Sequence, residues 1–151
     1  MTGDRSRYGA ASFEHEDHEG HKDHEVISDS LQNLARTIVD AGLKVHRTLG
    51  PGLLETAYES CLFRELQVRG VAAQRQVALP LEYEGERLEV GYRLDLLVEN
   101  AIIVEVKSVE ILSRLHEAQI LTYLKLSGLR IGLLMNFNVA LFKQGVRRFI
   151  R

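Results

Sequence analysis

A chain of 151 residues, 45% hydrophobic and 26% charged, fits one domain with a sizeable core and excludes wholesale disorder. No apolar run is long enough to span a bilayer and no signal-peptide pattern opens the chain, so a cytoplasmic location without membrane contact is expected. Cys61 is the single cysteine, which excludes an internal disulfide; it falls among helical core positions, where a buried thiol is expected rather than a nucleophile.

Residues 1–27 hold seven acidic and three basic groups, leaving 16 basic and 14 acidic groups in residues 28–151. That first stretch lacks apolar periodicity and reads as a disordered, acidic tail, with residues 28–151 as the folded domain. Within it His15, His18, His21 and His24 recur every third position among Asp and Glu, a pattern of a solvated tail or of loose zinc or nickel binding. The folded part is only mildly basic. Contact with nucleic acid would rest on a local patch rather than a global field.

From Ser28 the pattern turns helical: Leu31, Leu34, Ala35, Ile38, Val39, Gly42, Val45 and Leu49 repeat at intervals of three and four. Gly50-Pro51-Gly52 stops this helix, because proline lacks an amide donor and disfavours helix before it. His46, late in the helix, is expected against its carbonyl end. A second helix is predicted over Leu53 to Arg69, with Leu54, Ala57, Tyr58, Cys61 and Leu62 inward and Gly70 as a left-handed cap. Strands are predicted over Gln74–Tyr83, with Pro80 at an edge or bulge, then over Leu88–Val98 and Ile102–Val109. A third helix over Leu115–Ser127 ends at Gly128, and Arg130–Asn136 reads as a strand buried on both faces. Val139–Arg151 fits a short strand or a helix. The order predicts an α/β fold with a central mixed sheet of four to five strands flanked by helices.

Three charges interrupt the oily text of the second and third strands: Asp95, Glu105 and Lys107. Alternation puts Glu105 and Lys107 on one face; a hairpin centred on Asn100 sets Asp95 opposite Glu105, and a loop one residue shorter makes them diagonal neighbours. Two adjacent carboxylates repel and raise each other's pKa. A hard divalent ion, Mg²⁺ or Mn²⁺, relieves that conflict, and the lysine would then stabilise negative charge beside it. Ordinary cross-strand ion pairs on an exposed face are the alternative. Glu55 and Tyr58 lie one turn apart at the start of the second helix, and His116, Gln119 and Tyr123 share a face of the third. Polar groups aligned with core positions need partners, and a shared site supplies them. Taken singly, Glu55 also suits a helix N-terminus, Gln119 a backbone cap, His116 the surface, and the tyrosines a core with the hydroxyl at its rim.

An acid on a helix, Asp95 on a strand, Glu105-x-Lys107 on the next, and Gln119-x-x-x-Tyr123 on the helix after it resemble the PD-(D/E)XK nuclease superfamily. Within it, the chain resembles the bacterial GxxExxY proteins, whose motif stands here as Gly52, Glu55 and Tyr58. The resemblance runs from about Leu31 to Phe149 and includes VGYRLDLLVE, VEVKSVE and HEAQILTYLKLSG. It departs from the superfamily in having Leu94, not proline, before Asp95. It implies a restriction-endonuclease-like core in which Glu55, Asp95 and Glu105 bind Mg²⁺ or Mn²⁺, Lys107 is the active-site lysine, and Gln119 and Tyr123 form the helix motif of RecB-type nucleases. DNA or RNA is then the expected substrate and partner, with Arg114, Lys125 and Arg130 as candidate phosphate contacts. The rival expectation is a non-catalytic binding or assembly protein, including a homo-oligomer, that keeps the nuclease-like fold.

Overall fold

A computed structural model describes residues 26–151. The acidic stretch with its four spaced histidines lies outside the described residues, apart from its last two positions. Ile27, one of those two, packs against the core.

Two helices lead: α1 (Asp29–Leu49) and α2 (Glu55–Val68). Ser28 caps α1 by accepting from the Leu31 amide. The predicted face is buried through Ala35, Ile38 and Val45, whereas Leu49 ends half-exposed at the helix terminus. Leu54 was expected inward, but it is 76% exposed. It sits in extended conformation just before α2 starts at Glu55, and so falls outside the helical repeat. Gly70 (φ +73°) and Gly128 (φ +73°) end α2 and the third helix in the left-handed region.

The strands β1 (Ala73–Tyr83), β2 (Glu86–Val98), β3 (Ile102–Lys107), β4 (Ile131–Asn136) and β5 (Val146–Ile150) form one sheet in the order β1-β2-β3-β4-β5. Only β3 and β4 run parallel. Helix α3 (Arg114–Ser127) supplies the crossover between them, as a parallel connection requires. The chain end, which fits strand or helix by sequence, contains both: a single turn, α4 (Phe142–Gly145), then β5.

The sheet has two covered faces. Leu96, Val98, Ile102, Val104, Val106, Ile131, Leu133 and Met135 pack under α1 and α2, with Phe137 and Phe142. Leu79, Leu94 and Ile103 pack under Tyr123 and Leu124 of α3. Every β4 residue is buried, as its apolar run predicts. The chain is therefore an α/β fold with a five-stranded mixed sheet between helices, consistent with a restriction-endonuclease-like core.

β1 and β2 extend far past the other strands. β3 pairs with β2 only over Leu96–Val98, so the rest of the β1–β2 hairpin projects as a two-stranded arm. Its tip is a two-residue turn with positive φ at Glu84 and Gly85. The register shifts between Leu79 and Leu81, at Pro80, where a bulge removes the need for a ladder amide. No helix among the described residues is long and apolar enough to cross a membrane.

Candidate active site

The β2–β3 hairpin is centred on Asn100, with Val98 paired to Ile102, Leu97 to Ile103 and Leu96 to Val104. The backbone ladder stops there. One step further, where Asp95 lies opposite Glu105, side chains replace it: the Asp95 amide donates to Glu105 Oε1 (3.1 Å) and the Val106 amide to Asp95 Oδ2 (2.9 Å). The carboxylates thus satisfy backbone donors that a continued ladder would have used.

That arrangement brings two acids into contact in a largely closed setting. Burial, and next the Asp95 charge, push the Glu105 carboxyl up to about 9, against relief from the Asp95 amide and the Lys107 ammonium. Burial and the same two carboxylates push the Tyr123 phenol up to about 12, so it remains protonated, with Gln119 hydrogen-bonded to it. Tyr92 meets Tyr123 edge-on at 5.8 Å. Lys107, Gln119, Tyr123, Tyr92 and His116 line one hollow of about 480 Å³ beside the acids.

Glu55 comes from the other side. The hydroxyl of buried Tyr58 donates to the Gly50 carbonyl and accepts from the Leu53 amide, clamping the loop that leads into α2. Its ring stacks on Phe137 (4.6 Å), and Ser108 Oγ donates to the Leu53 carbonyl. Glu55, as first residue of α2, thereby lines a cavity of about 80 Å³ with Thr56, Glu59, Gln76, Asp95 and Val106.

The structure thus gathers Asp95, Glu105, Lys107, Gln119 and Tyr123, with Glu55 across the small cavity. Arg114 opens α3, next to Leu115 and His116 of the larger hollow. Lys125 and Arg130 are not brought to the carboxylates. Arg130 precedes β4 at the far end of the sheet and donates to the Arg151 carbonyl, while Arg151 bonds the Lys125 carbonyl. His46 does not serve its own helix end: it is buried and bonds the Val139 carbonyl (2.7 Å), tying α1 to the segment before α4. His116 is a helix cap, exchanging bonds with Ser113 in a capping box. Cys61 is partly buried against the core.

Four further residues shape this region. Buried Glu59 accepts from Arg75 (2.9 Å) and Gln76 (2.6 Å), and Gln76 reaches Asp95 Oδ1 (3.4 Å). Asn136, beside Lys107 in the sheet, bonds both backbone groups of Val109 and so fixes the chain after the lysine. Glu59 was legible in outline, four residues after Glu55 on the same helix face. Nothing in the sequence points to Gln76.

Among the described residues no three His, Cys, Asp or Glu side chains converge as a metal cage. The donors at hand still suit a hard ion. Asp95 and Glu105 are oxygen donors in contact, and Mg²⁺ needs only one or two carboxylates and keeps several waters.

A sequence profile of the PD-(D/E)XK nuclease superfamily matches residues 32–149. The chain belongs to that superfamily. Of the helices and strands, the match covers all but the first three residues of α1 and the last residue of β5, and it includes all the acids described above. A solved structure titled "Crystal structure of SSO0001" is similar over 80% of this chain and 58% of its own, at 17% identity and a TM-score of 0.43. No curated protein matches the sequence. Divalent metals are typical of PD-(D/E)XK nucleases, which agrees with the oxygen-only donors of Asp95 and Glu105.

Proposed function

We propose that this PD-(D/E)XK protein is a metal-dependent nuclease of the GxxExxY family that hydrolyses phosphodiester bonds in DNA or RNA. The observation that carries the reading is the contact of Asp95 with Glu105 at the point where the β2–β3 ladder ends. Glu105 can ionise at neutral pH beside Asp95 only where something positive occupies the site; without it the carboxyl keeps its proton up to about 9.

Asp95 and Glu105 would hold Mg²⁺ or Mn²⁺, with Glu55 as a ligand from across the cavity. The bound ion supplies Lewis acidity and neutralises phosphate charge. Lys107 presents its ammonium to the charge that develops on the phosphate as water attacks phosphorus in line with the leaving oxygen. Gln119 and protonated Tyr123 offer neutral hydrogen-bonding groups at the wall beside Glu105, where burial strengthens them. Arg114, which precedes Leu115 and His116 of the larger hollow, would meet a neighbouring phosphate. In this reading residues 28–151 are the nuclease domain and residues 1–27 an appended acidic segment.

One observation favours a second reading, a binding or assembly protein on the same fold: the projecting arm exposes Tyr83, Leu88, Val90 and Tyr92. A cleavage screen separates the two. Purified protein is incubated with single- and double-stranded DNA and RNA in Mg²⁺ or Mn²⁺, alongside Asp95→Ala and Lys107→Ala. Cleavage by wild type and none by the variants is expected. Clean wild-type protein that cuts none of these substrates would sink the nuclease reading.

A further inference from the structure

Alternation along a strand should send Arg75 and Gln76 to opposite faces. Both nevertheless reach the same carboxylate: Arg75 Nη2 lies 2.9 Å from Glu59 Oε2 and Gln76 Nε2 lies 2.6 Å from Glu59 Oε1. The backbone makes this possible. Gln76 has φ +50°, left-handed and costly for a residue with a side chain, in the middle of an 11-residue strand. The packing changes face at the same place. Ala73 packs under α1 and α2, whereas Val77 and Leu79, of the same parity, pack under α3. Leu96 and Leu94 divide likewise on the strand opposite.

The residue between Leu96 and Leu94 is Asp95, and Gln76 lies between their partners Arg75 and Val77 on β1. The two oxygens of Asp95 therefore have different holders. Oδ2 takes the Val106 amide (2.9 Å) and Oδ1 the Gln76 amide (3.4 Å). Gln76 is itself held by Glu59, only 5% exposed, whose charge is offset by Arg75. Arg75 is anchored in turn on Ser60 Oγ (2.9 Å) and over the Phe63 ring (5.5 Å). A strained residue survives only where its surroundings over-determine it, and such strain collects at functional sites.

We propose that Gln76 is a positioning residue for Asp95: Glu59 and Arg75 hold its amide where it fixes the plane of the aspartate carboxylate and turns that group toward Glu105. The inference rests on the nuclease reading for what Asp95 then does. A carboxamide suits the task, since it donates without charge. A cation there would compete with a metal ion, and a carboxylate would add to the repulsion.

Gln76→Gly tests the proposal, because glycine accepts φ +50° and removes the side chain, amide included, without straining the backbone. Three readouts apply: melting temperature without metal, Mn²⁺ affinity by calorimetry, and cleavage rate. The variant should melt no lower than wild type, yet lose about tenfold in Mn²⁺ affinity and in cleavage, the scale expected for partners of a ligand. Glu59→Gln, which keeps the shape but releases Arg75, should lose Mn²⁺ affinity in the same direction. A merely structural role predicts the opposite coupling, with stability falling and affinity unchanged in proportion to folded protein. That result, or an unchanged Mn²⁺ affinity in Gln76→Gly, overturns the proposal. Wild type that binds Mn²⁺ but cuts nothing would remove the nuclease reading while leaving the positioning role to be judged by affinity. Wild type that binds no Mn²⁺ overturns both.

Discussion

The two ends of the β2–β3 hairpin obey different rules. At the closed end, three residue pairs stand in ladder register and send Val98 and Ile102 into the core. At the open end, one residue beyond Leu96 and Val104, the backbone amides of Asp95 and Val106 turn to carboxylates instead. The first end is satisfied and apolar, and contributes burial of roughly 25 cal/mol for each Å² of apolar surface. The second is also satisfied, but it buries one carboxyl beside another, and that burial, followed by the Asp95 charge, drives Glu105 up to about 9. The same two strands thus make a stabilising element at one end and, in the function proposed above, a cation site at the other. Polar satisfaction alone does not distinguish structure from function; the sign and crowding of the charges do.

The sharpest break in that comparison comes from removing the charges. Glu105→Ala or Asp95→Ala should lower metal-dependent cleavage by roughly a hundredfold or more, whereas Ile102→Val at the closed end should act on stability alone. Single-turnover cleavage, normalised to folded protein by circular dichroism, checks this.

Next in size is the response to metal. An ion that binds only the native state at about one hundred times its Kd stabilises by about 2.7 kcal/mol. Thermal melts should therefore rise with Mn²⁺ in wild type. Above about pH 9, where Glu105 gives up its proton, Asp95→Asn should melt higher without metal, because one repelling charge is gone; at neutral pH it should lose most of the Mn²⁺ response. An equal response in both proteins would mean the acids do not share an ion.

The charge contrast also fixes a pH dependence. The folded protein holds the Glu105 proton up to about 9, while the unfolded chain releases it near the ordinary 4.5. Between those values the folded state binds more protons, so unfolding releases them and rising pH favours unfolding. This contribution is complete below about 4.5 and is lost as pH passes through about 9. Metal-free melts should fall across that window, and Asp95→Asn should flatten the slope. A wild-type slope equal to that of Glu105→Gln would remove this residue as the cause.

Tyr58→Phe removes the hydroxyl that joins Gly50 and Leu53, two hydrogen bonds at a part-buried loop, for about 0.5–1.5 kcal/mol in denaturant melts. The smallest effect belongs to Lys125→Ala. This exposed residue at the far end of the sheet should change stability by less than about 0.5 kcal/mol and leave the cleavage rate near wild type.

Much of this molecule is written locally. Helical periods announce α1 and α3, glycines after α2 and α3 mark their ends, and the continuous apolar run of β4 announces burial on both faces. Strand parity alone pairs Asp95 with Glu105 and puts Lys107 on the glutamate's face, because alternation and a short hairpin leave little freedom. Other features depended on which elements meet. His46 looked like a helix-end residue until α4 and its approach supplied the Val139 carbonyl. Lys125 and Arg130 looked like phosphate contacts until the sheet set them at its opposite end. Gln76 carries no local signal at all, since a left-handed glutamine is imposed by Glu59, Arg75 and the strand across from it. Sequence by itself determined the elements and the charges that share a strand face, because those follow from periods of two and 3.6. Only the tertiary structure decided where the faces change over and which buried polar groups find each other, because those contacts join residues far apart in the chain.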